Sequence, residues 1–169
     1  MSVIIYTDGS ATNNADKSKR KAGCAFLVTK GDEYVYLSGY YLKDDTNNRA
    51  ELKAIYYAYC WIRHRLDIIE DNKITVISDS KYSINILTKV NKPKINNDII
   101  EEIFKVEEAL VNGGIEIKYR HIEAHTKKKD KHYVCNDIVD KTARECATTE
   151  KRIKKHSDEI IQKFAKSKQ

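Results

Sequence analysis

The chain has 169 residues, enough for one domain with a substantial core and too few for two full-sized ones. Lysine and arginine number 31 against 25 acidic residues, a formal charge of +6, which favours a polyanionic partner. With 41% hydrophobic residues, 11 Tyr and a single Pro, the composition excludes wholesale disorder.

The elements follow in chain order. Val3 to Thr7, Ala22 to Thr29 and Tyr34 to Tyr41 read as three strands of a β-meander, the last two joined by a turn at Lys30-Gly31-Asp32. From Asn48 to about Leu66 the apolar residues Leu52, Ile55, Tyr59, Ile62 and Leu66 recur every three or four positions, which predicts a helix with one buried stripe. Ile74 to Ser78 reads as a fourth strand and Ser80 to Thr88 as a short helix. Asp98 to Val111 resumes helical spacing until Asn112-Gly113-Gly114 stops it. Ile115 to His121 reads as a fifth strand, Glu123 to Tyr133 as a lysine-rich loop and Cys135 to Thr148 as a helix. The expected fold is α/β, a mixed five-stranded sheet of three antiparallel strands followed by two parallel crossovers, flanked by helices. Residues 1–147 form the expected domain and 148–169 a basic amphipathic helix or tail, on which Ile153, Ile160, Ile161 and Phe164 share a helical face.

The longest apolar run near the amino terminus, Val3 to Tyr6, is ended by Asp8, so no signal peptide or membrane span is expected and the protein is placed inside the cell, in cytoplasm or nucleus. Cys24, Cys60, Cys135 and Cys146 are scattered without a C-x-x-C pair, as expected of reduced structural thiols.

Four acids stand out. Asp8 closes the first strand, Glu51 lies in the first turn of a helix, Asp79 closes the fourth strand and Asp140 lies in the helix after the fifth. Each alone reads as a turn, cap or surface acid. If the first and fourth strands are neighbours, however, the two aspartates meet at one edge, where a packed helix brings in the others. Clustered carboxylates repel unless cations neutralise them, and hard oxygen ligands suit Mg²⁺ or Mn²⁺. Two such ions would serve in-line phosphodiester cleavage.

The local sequences around these acids are Tyr6-Thr7-Asp8-Gly9-Ser10, Thr46-Asn47-Asn48-Arg49-Ala50-Glu51-Leu52, Ser78-Asp79-Ser80-Lys81-Tyr82, and Asn136 with Asp140 and Ala143. In order and spacing they resemble the signature of type 1 ribonuclease H, over roughly residues 3 to 147. The resemblance implies an RNase H-like fold and an endonuclease that cuts the RNA strand of an RNA/DNA hybrid with two Mg²⁺ ions, leaving 5′-phosphate and 3′-hydroxyl ends; Mn²⁺ would substitute. It implies Asp8, Glu51, Asp79 and Asp140 as metal-binding acids, with Asp140 preferred to Asp137 by its spacing from Asn136 and Ala143. It also implies that Glu51 contacts a ribose 2′-hydroxyl, that Asn14, Asn47 and Asn48 offer amides to the minor groove, and that Thr46 and Asn96 hold a DNA phosphate. His125 is the implied proton-transfer histidine, with His132 its rival. Arg49 reads instead as a structural partner for a nearby acid.

The chain departs from the family pattern in three places. Lys127, Lys128, Lys129 and Lys131 fill the loop before the last acid, Lys89 to Asn97 lacks a long basic protrusion with tryptophan, and no separate hybrid-binding module is expected before Tyr6. A monomer without small-molecule cofactor is expected. The rivals are a DNA nuclease of the transposase, integrase or resolvase kind and a non-catalytic hybrid-binding subunit; the first fits less well because TNNRAEL suits 2′-hydroxyl reading, the second because all four acids are present.

Overall fold

The computed structural model describes residues 1–12, 15–16, 18–123 and 130–160. The chain runs β1 (Val3–Thr12), β2 (Lys21–Lys30), β3 (Glu33–Tyr41), α1 (Asn47–Ile62), a 3₁₀ turn (Leu66–Ile68), β4 (Lys73–Ser78), α2 (Lys81–Leu87), α3 (Asn97–Asn112), β5 (Glu116–His121), α4 (Lys131–Thr149) and β6 (Ile153–His156). These strands form one sheet in the order β5-β4-β1-β2-β3-β6. The β1–β2 and β2–β3 pairs are antiparallel; β4 runs parallel to both β1 and β5. The mixed sheet with two parallel crossovers is therefore as expected.

Helices cover both faces. Leu52, Ile55, Tyr59 and Ile62 of α1 are fully buried against Ile5, Phe26 and Val28 of the sheet, together with Ile100 and Ile103 of α3. On the opposite face Val139 and Ala143 of α4 pack on Tyr6, Ala25, Leu27, Leu37 and Ile77. Each fully buried aliphatic side chain contributes about 1.5–3 kcal/mol. Gly23 lets α4 lie this close, since a Cβ there would sit 2.2 Å from the Ala143 carbonyl oxygen.

Four details differ from the sequence reading. Strand β1 continues to Thr12, so Asp8 lies within the strand, one residue beyond the last parallel pair, Thr7 with Ser78. Helix α1 ends at Ile62, and Leu66 is 45% exposed because it belongs to the 3₁₀ turn and not to the stripe. Helix α4 begins at Lys131, where the Asp130 side chain accepts from the His132 and Tyr133 backbone N–H groups, shortening the lysine-rich loop.

The fourth difference is the sixth strand. Residues Ile153 to His156, read as part of a helical face, pair antiparallel with β3, from Tyr36 with His156 to Gly39 with Ile153. Helix α4 stops at Glu150, whose φ is +58°, and the chain turns back. Arg152 donates to the Gly39 carbonyl oxygen at 2.7 Å and lies over the Tyr40 ring, 3.7 Å from its centroid. Ile153 and Lys155 are half-buried while Lys154 and His156 are exposed, the period of two of an edge strand. Beyond it Ile160 is buried in the α4 side of the core. All four cysteines are free thiols, and Cys24, Cys135 and Cys146 are buried.

Candidate active site

Three carboxylates meet where the parallel pairing ends. On β1, the Asp8 carboxylate accepts from the Gly9 backbone N–H at 2.9 Å and is 2% exposed. On α1, Thr46 caps the helix by accepting from the Arg49 N–H at 3.2 Å, which directs Glu51 over Gly9 into the interior. Asp79 stands between β4 and Ser80, the N-cap of α2. Its carboxylate accepts from the Asn136 side-chain amide at 3.5 Å, and its backbone carbonyl lies 3.2 Å from Nε2 of His121. One carboxylate oxygen from each of Asp8, Glu51 and Asp79 falls within 4.8 Å of the others.

Asp140 on α4 lines the same cleft, of about 420 Å³, and pairs with Arg144 at 3.3 Å. Asp137 faces solvent and pairs with Lys141 at 2.8 Å.

Burial, and then the charges of Glu51, Asp79 and Asp140, push the Asp8 carboxyl far above the usual carboxylate range. Burial and the charge on Asp79 likewise raise Glu51, to about 8. The buried Oε2 of Glu51 has no hydrogen-bond partner among the described residues. Three converging carboxylates with an orphaned oxygen fit a hard divalent cation: such an ion would relieve the repulsion and satisfy that oxygen. This is the only His, Cys, Asp and Glu cluster of that kind among the described residues.

The RNase H family profile matches residues 1–148. The chain belongs to the RNase H family. Ribonuclease H of Tropheryma whipplei (strain Twist) is 34% identical over 158 residues, covering 86% of this chain and 84% of that protein. A probable ribonuclease H of Acanthamoeba polyphaga mimivirus is 30% identical over 123 residues, 65% of this chain and 51% of that one. LC11-RNase H1, isolated from compost by a metagenomic approach and solved in complex with an RNA/DNA hybrid, shares the fold at a TM-score of 0.71 and 22% identity, covering 88% of this chain and 98% of its own. The chain is accordingly a ribonuclease H hydrolase by family.

The other residues expected of an RNase H are placed as follows. Asn47 and Asn48, at the start of α1, line the cleft. Thr46 is the α1 cap already described, and Asn96 is the N-cap of α3 at φ +66°. Neither lines the cleft; both are tied to Arg49, whose guanidinium lies 3.4 Å from the Asn96 side-chain oxygen while the Asn96 amide donates to the Tyr82 hydroxyl at 3.1 Å. Arg49 binds both oxygens of Asp98 at 2.9 Å and Asp45 at 3.3 Å, the structural pairing its position suggested. His132 is hydrogen bonded to the Tyr6 hydroxyl at 2.8 Å and does not line the cleft. Asn14 and His125 lie outside the described residues.

Lys81, Tyr82 and Arg144 also line the cleft, and sequence reasoning did not single them out as site residues. The i,i+4 spacing of Asp140 and Arg144 was a usable signal. For Lys81 the signal was adjacency to Asp79-Ser80.

Proposed function

We propose that this RNase H family member hydrolyses the RNA strand of RNA/DNA hybrids, leaving 5′-phosphate and 3′-hydroxyl ends. The observation that carries this reading is the convergence of Asp8, Glu51 and Asp79 within 4.8 Å on a cleft also lined by Asp140. These four acids would hold two Mg²⁺ ions, or Mn²⁺ in their place, which when bound activate a water and stabilise the departing oxygen.

The remaining roles belong to the chain itself. Glu51 accepts a hydrogen bond from a ribose 2′-hydroxyl, a donor that deoxyribose lacks, so the acid that helps hold metal also selects RNA. Asn47 and Asn48, exposed beside it, read the minor groove together with Asn14. Thr46 and Asn96, linked through Arg49, hold a phosphate of the DNA strand as one preorganised unit. His125 moves a proton during turnover or release. The protein acts as a monomer inside the cell without a small-molecule cofactor. Among the described residues no helix is long and apolar enough to cross a membrane.

Purified protein with Mg²⁺ is expected to cut the RNA of a uniform hybrid and to spare single-stranded RNA and both homoduplexes. Equal cutting of double-stranded DNA would overturn the reading. Light scattering checks the monomer.

A further inference from the structure

We propose that His132 is a positioning residue for one face of α4: its hydrogen bond to Tyr6 fixes the rotation of the helix, and through it where Asn136 and Asp140 stand against Asp79 and Asp8. This rests on the reading of those acids as a metal-holding set.

The Tyr6 hydroxyl lies 2.8 Å from Nδ1 of His132, with the two ring centroids 5.9 Å apart. A phenol is protonated near neutral pH and donates. Burial, and then the charge of Arg120, lower the His132 pKa against the opposing charge of Asp130, which favours the neutral ring that accepts at Nδ1. Both ends of this bond stand on rigid backbone. Tyr6 is fully buried in β1, two residues before Asp8 and therefore on the same face of that strand. His132 is the second residue of α4, and its own backbone N–H donates to the Asp130 side chain at 3.0 Å.

His132, Asn136 and Asp140 recur every four residues, so they share one stripe of α4 about 12 Å long. The other two members of the stripe do not fix it. Asn136 donates to the Asp79 carboxylate over 3.5 Å, a long bond, and its buried Oδ1 has no hydrogen-bond partner among the described residues. The ion pair of Asp140 with Arg144 lies within α4 itself, so it cannot set where the helix face points. Lys131 ties the same turn of α4 to the Gly31 carbonyl and lies 3.9 Å from Asp32, but on a flexible four-carbon stem. A side chain on a helix reaches about 5–6 Å from the axis, so a rotation of about 20° would carry Asp140 about 2 Å. Productive geometry tolerates about 0.5 Å. His132 does not line the cleft, so it acts on the acids only through the helix.

The test compares wild type with Tyr6→Phe, His132→Ala, the double variant and His132→Asn, whose side-chain oxygen can stand where Nδ1 does. Mn²⁺ binding to the free protein is read by titration calorimetry, hybrid cleavage by steady-state kinetics in Mg²⁺, and folding by Tm. Tyr6→Phe and His132→Ala are each expected to weaken Mn²⁺ binding and to lower kcat about 10-fold, with KM for the hybrid within about twofold. The double variant is expected to lose no more than either single one, since both remove the same bond, and His132→Asn to recover Mn²⁺ affinity to within about threefold of wild type. Unchanged Mn²⁺ affinity and kcat in variants of lowered Tm would make the pair a packing contact and overturn the proposal. Additive losses in the double variant would overturn it too, as would a His132→Asn protein with wild-type Mn²⁺ affinity and the kcat of His132→Ala, which would make His132 a proton carrier instead. A wild type that binds Mn²⁺ without cutting the hybrid overturns the hybrid-cleaving reading alone, and the calorimetry still decides the role of His132. A wild type that binds no Mn²⁺ overturns both.

Discussion

Gly9 and Glu51 are in backbone contact: a Cβ on Gly9 would lie 2.3 Å from the Glu51 nitrogen and 2.4 Å from the Ala50 carbonyl carbon. The neighbour is main chain at the start of a packed helix, so it has no rotamer with which to yield. Gly9→Ala should push α1 off β1 and part Glu51 from Asp8. The expected outcome is a loss of about 2–3 kcal/mol in urea unfolding together with loss of hybrid cleavage. A stable, active Gly9→Ala protein would show that the helix can slide without cost.

Asp79 is supported from two elements, its carboxylate by Asn136 of α4 and its carbonyl by His121 of β5. Asp79→Asn keeps the shape of the side chain and removes its charge. We expect kcat to fall at least about 100-fold, since even outer-shell partners of metal ligands are worth about 10- to 100-fold. Hybrid binding by anisotropy is expected to survive. Full turnover would remove Asp79 from the metal-holding set.

Divalent cations should stabilise the fold, and more so as pH rises. Burial and mutual repulsion raise Asp8 and Glu51, the latter to about 8, so without metal the folded state holds protons that the unfolded chain releases at ordinary carboxylate pKa values. The stability that those protons supply is lost as pH climbs from the unfolded pKa through the folded one. A cation replaces the protons, so its binding releases them and tightens with pH. Scanning calorimetry in EDTA should show Tm falling between pH 6 and 9, and Mg²⁺ should close the gap. A Mg²⁺ response independent of pH would contradict this.

His132 makes the opposite contribution on the acid side. Burial, followed by the charge of Arg120, lowers its pKa below the ordinary 6.5, with Asp130 opposing. The folded state then binds fewer protons than the unfolded chain, so the stability held above about pH 6.5 is lost as pH falls through the lowered value. His132→Gln should flatten the decline of Tm between pH 7 and pH 5. An identical acid limb would mean that other groups govern it.

Deleting residues 150–169 removes β6, the Arg152 contacts to Gly39 and Tyr40, and the buried Ile160. It also bares the edge of β3, with Tyr36 and Leu37 beneath. The expected loss is about 3 kcal/mol, or about 10 °C in Tm. An unchanged Tm with weaker hybrid affinity would make this segment a nucleic-acid arm instead.

Much of this was legible from local order. The period of α1 through Leu52, Ile55, Tyr59 and Ile62 named its buried face, because that face is a consequence of helical geometry alone. Leu66 continued the pattern yet left the helix, since periodicity does not register where packing stops supporting a turn. β6 was hidden for a related reason. Ile153-Lys154-Lys155-His156 is short and basic, with no intrinsic preference strong enough to declare a strand, and it becomes one by pairing with β3.

The sequence by itself determined where the acids proposed to bear the chemistry stand along the chain. Asp8, Glu51 and Asp79 sit in recognisable stretches, and the strand or helix around each follows from its neighbours. Only the tertiary structure decided that these acids, carried by β1, α1 and the end of β4, meet within 4.8 Å. It also turned Asp140 into the cleft and Asp137 out of it, committed His132 to Tyr6, and left Lys81 unpaired at the wall among the described residues. Local sequence sets backbone preference within a few residues. Proximity between residues dozens of positions apart is created by burying the two faces of one sheet.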